Sequence, residues 1–505
     1  MQLAQSKLMN GINNLTTVRR HDLKFVRNVG IVSTVAIVIG SLSPSVPFTS
    51  KIPGSWFFGI ANGPLSLGIL PSWLAQAIFY FGFISGLLAW LWLVQLVMAK
   101  EVTTKQLIVI GAIWFVPLAI AGPLYSRDIY SYAAIGEMVS RHISPYQYGP
   151  NILGATPYLN TVDPFWGNAP APYGPLFLWF SGVAAVVTQH NPFATMLFLR
   201  VATVIAVLAI IFSSMRIAEI LGKDKRIALV LIGLNPIVIF HLASSGHNDA
   251  FMIAFMTLGL LMFYKGHSIL ATVLISAGAA VKVPAVIALA FIAWNSTAGN
   301  KIKDKIIPSI KYGSIALATV GAISYSTGLG WGWIHNLGTP GTVRSPAVPT
   351  TALAAWSDRL TSLLGIPLHF AGFLTLYRAL GLLGAALITL YFAFHLERFS
   401  FERAIGYSLL ALVLLGPVIQ PWYIAWGLIF VAISPSERVV NGVVVVTFMG
   451  MMLGLPDGPM LVSWTVYIIG TLALVGYLGV RYQLSFIPSQ LKALNLTRER
   501  LFVNR

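Results

Sequence analysis

The 505-residue chain carries only 15 acidic residues, so each carboxylate needs a reason for its position. Most fall in short links that also hold Lys or Arg. Asp128 does not. It stands in Gly122-Pro123-Leu124-Tyr125-Ser126-Arg127-Asp128-Ile129-Tyr130-Ser131-Tyr132, where a long apolar run gives way to a stretch rich in Pro, Tyr and Asn. A carboxylate held at a membrane edge can take a proton from a hydroxyl, which is general-base chemistry. Three further polar groups interrupt apolar sequence: His247-Asn248-Asp249, Lys282 beside Val283-Pro284, and Gln420-Pro421-Trp422-Tyr423. Ionisable groups at membrane depth are costly, and function is the usual reason they persist there.

Each has a plainer explanation. Asp128 at a helix start can simply favour the helix dipole or pair with Arg127 or Arg141. Asp249 can do the same behind His247 and Asn248 as a cap. Lys282 can snorkel, although its small apolar neighbours suggest no carboxylate partner, which favours a phosphate. Trp422 and Tyr423 can belong to an interfacial aromatic belt. Glu137 and Asp163 are expected to be solvated loop acids.

Composition sets the class. With 57% hydrophobic and 9% charged residues, the chain has the make-up of a polytopic membrane protein. The net charge of +17 is spread over many short links, which fits positive-inside topology and anionic lipid rather than nucleic acid. The absence of cysteine excludes disulfides and thiol chemistry.

The first apolar runs lie near 29–47, 73–99 and 106–122, behind a basic N-terminus that includes Arg19, Arg20 and Lys24. With that terminus cytoplasmic, the polar segment from 123 falls outside. Ser126 is expected to cap a short interfacial helix over 126–141, with Tyr125, Asp128 and Tyr132 on one face. The run 173–189 is read as a short re-entrant or interfacial helix on the outer side, because a crossing there would place Arg216, Lys223, Lys225 and Arg226 outside. Spans at 194–216, 226–243 and 248–265 follow, then a hairpin over 268–297 broken at Lys282-Val283-Pro284 and a span at 306–328. The remaining spans lie near 371–396, 402–417, 421–434, 438–455 and 460–480. The expected fold is an all-α polytopic membrane protein with about fourteen crossings, including the short hairpin, and both termini inside. Its parts are 1–105, a core module 106–328 with outer loop 123–192, an outer loop 329–370, C-terminal spans 371–480 and a cytoplasmic tail 481–505.

Ser126-Arg127-Asp128-Ile129-Tyr130-Ser131-Tyr132, Gly246-His247-Asn248-Asp249, Val281-Lys282-Val283-Pro284 and Gln420-Pro421-Trp422-Tyr423 together resemble the actinobacterial polyprenol-phosphomannose-dependent α-1,6-mannosyltransferases of the GT-C superfamily. The resemblance implies a GT-C fold, an active site facing away from the cytoplasm, a polyprenyl-phosphate-mannose donor, and a mannan or lipid-linked mannoside acceptor of lipomannan and lipoarabinomannan. It implies plasma-membrane localisation and contact with membrane lipids. Many GT-C enzymes carry paired acids in the first outer loop; Arg127 stands there instead, which argues against a bound divalent metal, and no metal ligands are assigned.

The chemistry needs a base, cations for the leaving phosphate, and groups that position two sugars. Asp128 is expected to be the base, with Arg127 and Lys282 on the phosphate. Tyr130, Tyr132, His247, Asn248, Asp249, Gln420, Trp422 and Tyr423 are expected to bind substrate. One base beside a good leaving group implies direct displacement with inversion. The rival readings are a GT-C transferase of another lipid-linked sugar, a lipid-linked glycan transporter or flippase, and a ligase that transfers whole glycans.

The Lys/Arg asymmetry generates a topology test. A cysteine at Lys223, in a chain without native cysteine, is expected to resist an impermeant thiol reagent on intact cells. Labelling there would reverse the orientation.

Overall fold

The computed structural model describes residues 22–41, 72–296, 302–345 and 347–453. The expected span at 460–480, the tail 481–505 and the first twenty-one residues of the N-terminal segment lie outside the described residues. Every regular element among the described residues is helical. The long helices are α1 (Leu23–Ser41), α2 (Ser72–Met98), α3 (Thr104–Ile120), α6 (Pro192–Ile220), α12 (Ile302–Ser326) and α14 (Phe370–Phe394). Between them lie α4 (Asp128–Ser140), α5 (Pro175–Val187), α9 (Asp249–Tyr264), α10 (Ser268–Ala279), α11 (Val286–Asn295) and α13 (Pro349–Leu363). The chain continues with α15 (Phe401–Leu415), α16 (Pro421–Ile433) and α17 (Glu437–Leu453).

The lengths and apolar character of these helices define a membrane protein. Among the described residues five helices are long and apolar enough to cross a bilayer, six if one bent pair counts as a span. The other expected crossings that fall on described residues rest on helices of 10–17 residues. A 13-residue helix such as α5 rises only about 20 Å, short of a hydrocarbon core of about 30 Å.

The bent pair is α7 (Lys225–Gly233) and α8 (Ile237–Ser244), which meet at 57°. A straight span over 226–243 was the sequence expectation; Asn235-Pro236 breaks it. Proline disfavours helix in the residue before it and supplies no N–H. The Asn235 side chain repairs the break, accepting from the Ile237 N–H at 2.9 Å and donating to Thr447 Oγ1 at 2.8 Å. A second repair closes α3, where Arg200 of α6 is buried and donates to the Leu118 and Ala121 carbonyls, each at 2.5 Å. A cation at a helix C-terminus satisfies carbonyls that have no helical partner.

Three junctions converge on one region. At the first, Tyr125 has φ +66°, and α4 begins at Asp128. Ser126 is therefore not the helix N-cap; Arg127 holds that position, and the Ser126 hydroxyl accepts from the Asp128 N–H at 3.1 Å. The left-handed turn also takes the Tyr125 ring off the Asp128 face, to pack 5.2 Å from His241. At the second, Gly246 has φ +74° between α8 and α9. A side chain there would overlap Ile129, so glycine lets the start of α9 approach the start of α4. At the third, α10 and α11 are separated by an extended Lys282 and a 3-10 turn, Val283–Ala285. This tip docks on α5: the Gly174 and Leu176 N–H groups, otherwise orphaned at the helix start, bond to the Val281 and Ala280 carbonyls at 2.9 and 3.0 Å.

A methyl group at Gly174 would overlap the Ala280 carbonyl. Gly174→Ala is expected to cost about 1–3 kcal/mol by overpacking and to displace the Lys282 tip. Thermal unfolding and solvent accessibility of a cysteine placed at Val283 test this; an unchanged melting point and accessibility would show that the contact does not set the tip.

Candidate active site

The four groups singled out by sequence meet where α4, the α8–α9 junction, the α10–α11 tip and α16 come together. Asp249 is fully buried. One of its oxygens takes the Lys282 ammonium at 2.8 Å and the Trp426 indole N–H at 2.5 Å. Lys282 stands over the Tyr423 ring at 4.3 Å and near the Trp426 ring at 5.2 Å, while those two rings stack at 4.2 Å. The expectation that Lys282 lacks a carboxylate partner is thus corrected. Its partner lies 33 residues away in sequence, in a different helix, where local composition cannot reveal it.

Asp128 differs from Asp249 in exposure. Its side chain is 21% exposed, against 0% for Asp249. The His247 Nδ1 and the Tyr132 hydroxyl each stand 3.5 Å from Asp128 Oδ2. Both contacts are long, so the carboxylate is oriented without being saturated. Burial opposes its ionisation, but His247 and Lys282 nearby, with the Ser126 hydroxyl, outweigh burial and hold its pKa below the usual carboxylate value. The group is therefore a carboxylate at neutral pH.

Aromatic and amide groups frame these acids. His247 stacks on Trp422 with ring centroids 3.7 Å apart and an interplanar angle of 18°. Tyr132 donates to Asn248 Oδ1 at 3.3 Å, which ties α4 to the start of α9. The Asn248 amide nitrogen and the second Asp249 oxygen are buried without hydrogen-bond partners. Gln420 stands at the N-terminus of α16, one turn before Tyr423.

Two expected site residues are elsewhere. Arg127 is buried and spends its guanidinium on the Thr161 and Val162 carbonyls at 2.6–3.0 Å, bracing the polar loop instead of facing the cluster. Tyr130 is buried on the opposite side of α4, in the electrostatic range of Arg200 and Arg127. Glu137 also departs from expectation. It is buried and paired with Arg141 and His190, each at 2.7 Å, so it locks the far end of α4. Asp163 caps the short turn Pro164–Trp166 through the Phe165 N–H at 2.9 Å. Sequence reasoning missed Trp426 and Tyr173, whose rings flank Lys282. Trp426 was within reach, because it follows Trp422 and Tyr423 by four and three residues on one helical face. Tyr173 carried no such signal.

Beside the cluster lies a cavity of about 680 Å3. Lys282, Tyr423 and Trp426 line it, together with Ile287, Leu382, Ala386, Leu390 and Leu412, apolar residues from α11, α14 and α15. Among the described residues no group of three or more His, Asp or Glu side chains is arranged to hold a metal.

Fold and site together describe a membrane protein whose described elements are all helical, with one partly exposed carboxylate, a neutralised buried ion pair and an apolar cavity meeting at a single place. Residues 27–298 match the family model described as alpha-(1->6)-mannopyranosyltransferase, N-terminal domain, and residues 350–481 match the MptB C-terminal domain. The chain belongs to the alpha-(1->6)-mannopyranosyltransferase family. A Mycolicibacterium smegmatis protein named as a probable alpha-(1->6)-mannopyranosyltransferase is 33% identical over 379 residues, covering 68% of this chain and 67% of that one. Alpha-(1->6)-mannopyranosyltransferase A of Mycobacterium tuberculosis is 29% identical over 448 residues, covering 86% and 84%. Alpha-(1->6)-mannopyranosyltransferase B of Corynebacterium glutamicum is 28% identical over 340 residues, covering 63% and 56%. No solved structure matches the chain.

The ion pair generates a stability test. Removing one member of a buried pair leaves an uncompensated charge and costs about 3–5 kcal/mol. Lys282→Met and Asp249→Asn are each expected to lower folded yield and melting temperature. The double variant is expected to recover part of the loss, because both charges go together. A double variant whose loss equals the sum of the two single losses would show that the groups do not stabilise one another.

Proposed function

We propose that this protein is an inverting glycosyltransferase that moves mannose from a polyprenyl-phosphate-mannose donor to a growing α-1,6-mannan on the outer face of the plasma membrane. Membership of the family supports mannose transfer. The observation that carries the site assignment is the contrast between the two acids: Asp128 is reachable and ionised, whereas Asp249 is sealed and neutralised by Lys282.

In this reading the acceptor hydroxyl lies against Asp128. As the hydroxyl oxygen bonds to the mannose anomeric carbon, its proton passes to the carboxylate and the bond from that carbon to the phosphate oxygen breaks. The phosphate leaves with the bonding electrons. Attack opposite the leaving group inverts the anomeric centre, so a β-linked donor yields an α-mannoside. His247 and Tyr132 hold the carboxylate in place. Trp422, Tyr423, Asn248 and Gln420 offer the stacking faces and amides that two sugars require. The apolar cavity suits the first part of an isoprenoid chain, with the scissile bond on the side of Lys282 and Tyr423 in this reading. Positive-inside topology supports an outward-facing site.

Asp128→Asn keeps size and helix-start geometry but accepts no proton. The variant is expected to express and fold like the wild type and to lose mannosyl transfer by about 10²–10⁴-fold. The measurement is transfer from mannosyl-phospho-decaprenol to a short α-1,6-mannoside by purified protein. Near-normal turnover in the variant would remove Asp128 as the base.

A further inference from the structure

The expected outer loop 329–370 contains a helix that is too short and too polar to cross a bilayer. α13 has 15 residues, with Asp358 and Arg359 among them. It rises about 22 Å, short of a hydrocarbon core of about 30 Å. Its large apolar side chains are nevertheless not packed away. Leu353, Trp356, Leu360 and Leu363 recur at spacings of three and four, so they share one face. Each is at least 51% exposed. Gly365, at φ +68°, ends the helix, and the Ile366 N–H bonds to the Thr361 carbonyl at 2.9 Å.

The rest of the α13 surface divides in two. Thr350, Thr351 and Ala354 are buried against protein. Thr350 donates to the Gly416 carbonyl at 3.3 Å, and the Ser357 hydroxyl bonds to the Tyr377 hydroxyl of α14 at 2.8 Å. Ala355, Arg359 and Ser362 form a third, exposed strip that is more polar. Arg359 follows Trp356 by three residues and precedes Leu363 by four, so it flanks the apolar face. Protein, water and an apolar phase on three sides is the environment of a helix lying in a membrane interface, where Trp and Arg sit at headgroup level. The neighbouring chain supplies the apolar phase. α14 follows directly, is long and apolar enough to cross the bilayer, and is only 11% buried over its most apolar stretch. Exposed apolar side chains continue through the link between the two helices, at Leu364, Ile366 and Leu368.

We propose that α13 is an interfacial helix, with the strip of Leu353, Trp356, Leu360 and Leu363 seated in the acyl boundary of the leaflet on the Asp128–Lys282 side, and Arg359 among the headgroups. That side is set by Thr350, whose partner Gly416 lies four residues before Gln420. The inference rests on neither the donor nor the acceptor named above. It gives the helix a task. A methyl group at Gly381 would overlap the Leu415 carbonyl and press on the Thr350 side chain, so α13, α14 and the end of α15 are closely joined. Pro417 and Val418 follow that joint, and with Leu337 and Pro340 from the loop before α13 they line the cavity. The depth of α13 in the leaflet therefore sets the level of this part of the cavity wall relative to the lipid.

The test uses the full chain in nanodiscs of mixed zwitterionic and anionic lipid. With no native cysteine, a nitroxide can be attached at one introduced cysteine at a time. Labels at Leu353, Trp356, Leu360 and Leu363 are expected to collide with dissolved oxygen, which concentrates among acyl chains, and to be shielded from a water-soluble nickel chelate. Labels at Arg359 and Ser362 are expected to show the reverse, so that the collision ratio oscillates along the helix with a period of about 3.6 residues. High chelate access at all six positions would place the strip in water and overturn the proposal. Shielding of the apolar strip from both reagents, with dipolar broadening between labels, would give the strip to a second copy of the chain and overturn the lipid assignment. Leu360→Asp then asks whether the strip holds the helix down. Leu360 is exposed, so thermal unfolding in detergent is expected to be unchanged. A charge among acyl chains is costly, so the collision ratio of the Trp356 label is expected to reverse in favour of the chelate. An unchanged ratio would overturn the anchoring role, and a variant that fails to fold leaves the decision to the six labels in the otherwise unaltered chain. None of these readouts needs transfer activity. A lipid-seated strip in a protein that transfers no mannose would leave this inference standing and remove the mannosyl reading, whereas mannose transfer by a protein whose strip is open to the chelate would do the opposite.

Discussion

The structure depends on a buried charge pair. Asp249 opens α9, Lys282 lies in the break between α10 and α11, and Trp426 belongs to α16; one carboxylate oxygen joins all three. A carboxylate or an ammonium alone at that depth is too costly to keep. Together, with the indole N–H and the Tyr423 face, they form a neutral joint that fixes where three separate segments of chain end. On the function proposed above, the joint also removes these charges from the chemistry. What remains available is the acid that the joint does not use.

That acid is placed by backbone more than by side chains. Tyr125 turns the chain through a left-handed conformation, Gly246 allows α9 to reach Ile129, and Glu137 pins the far end of α4 to Arg141 and His190. Asp128 is left at the start of a rigid helix with two long contacts and an exposed edge. Rigid support with an unsaturated acceptor is what a general base needs, since a carboxylate already saturated with donors has little tendency to take another proton. Arg200 and Asn235 serve the same end at greater distance, by closing the helix breaks on which α4 and α9 rest.

Placement of charge around the cavity follows the same logic. Lys282, on the cavity wall, is neutralised by Asp249. A buried, matched lysine serves architecture.

The membrane class was legible in composition, and the breaks were legible locally. Pro284 divided 268–297 into two short helices, and the basic link from Arg216 to Arg226 set the run 173–189 apart from the long spans. The four polar groups were also legible as candidates, because a polar residue in apolar sequence is conspicuous. What each candidate does was not. Sequence placed Arg127 with the phosphate and left Lys282 without a partner; the fold gave Arg127 to the Thr161 and Val162 carbonyls and Lys282 to Asp249. Glu137 looked solvated and is buried. Local rules of turn, cap and hydropathy act over a few residues, so one sequence states them outright. The pairing of charges acts through space between helices, where the low dielectric makes partnership decisive, and only the tertiary structure determines which residues meet.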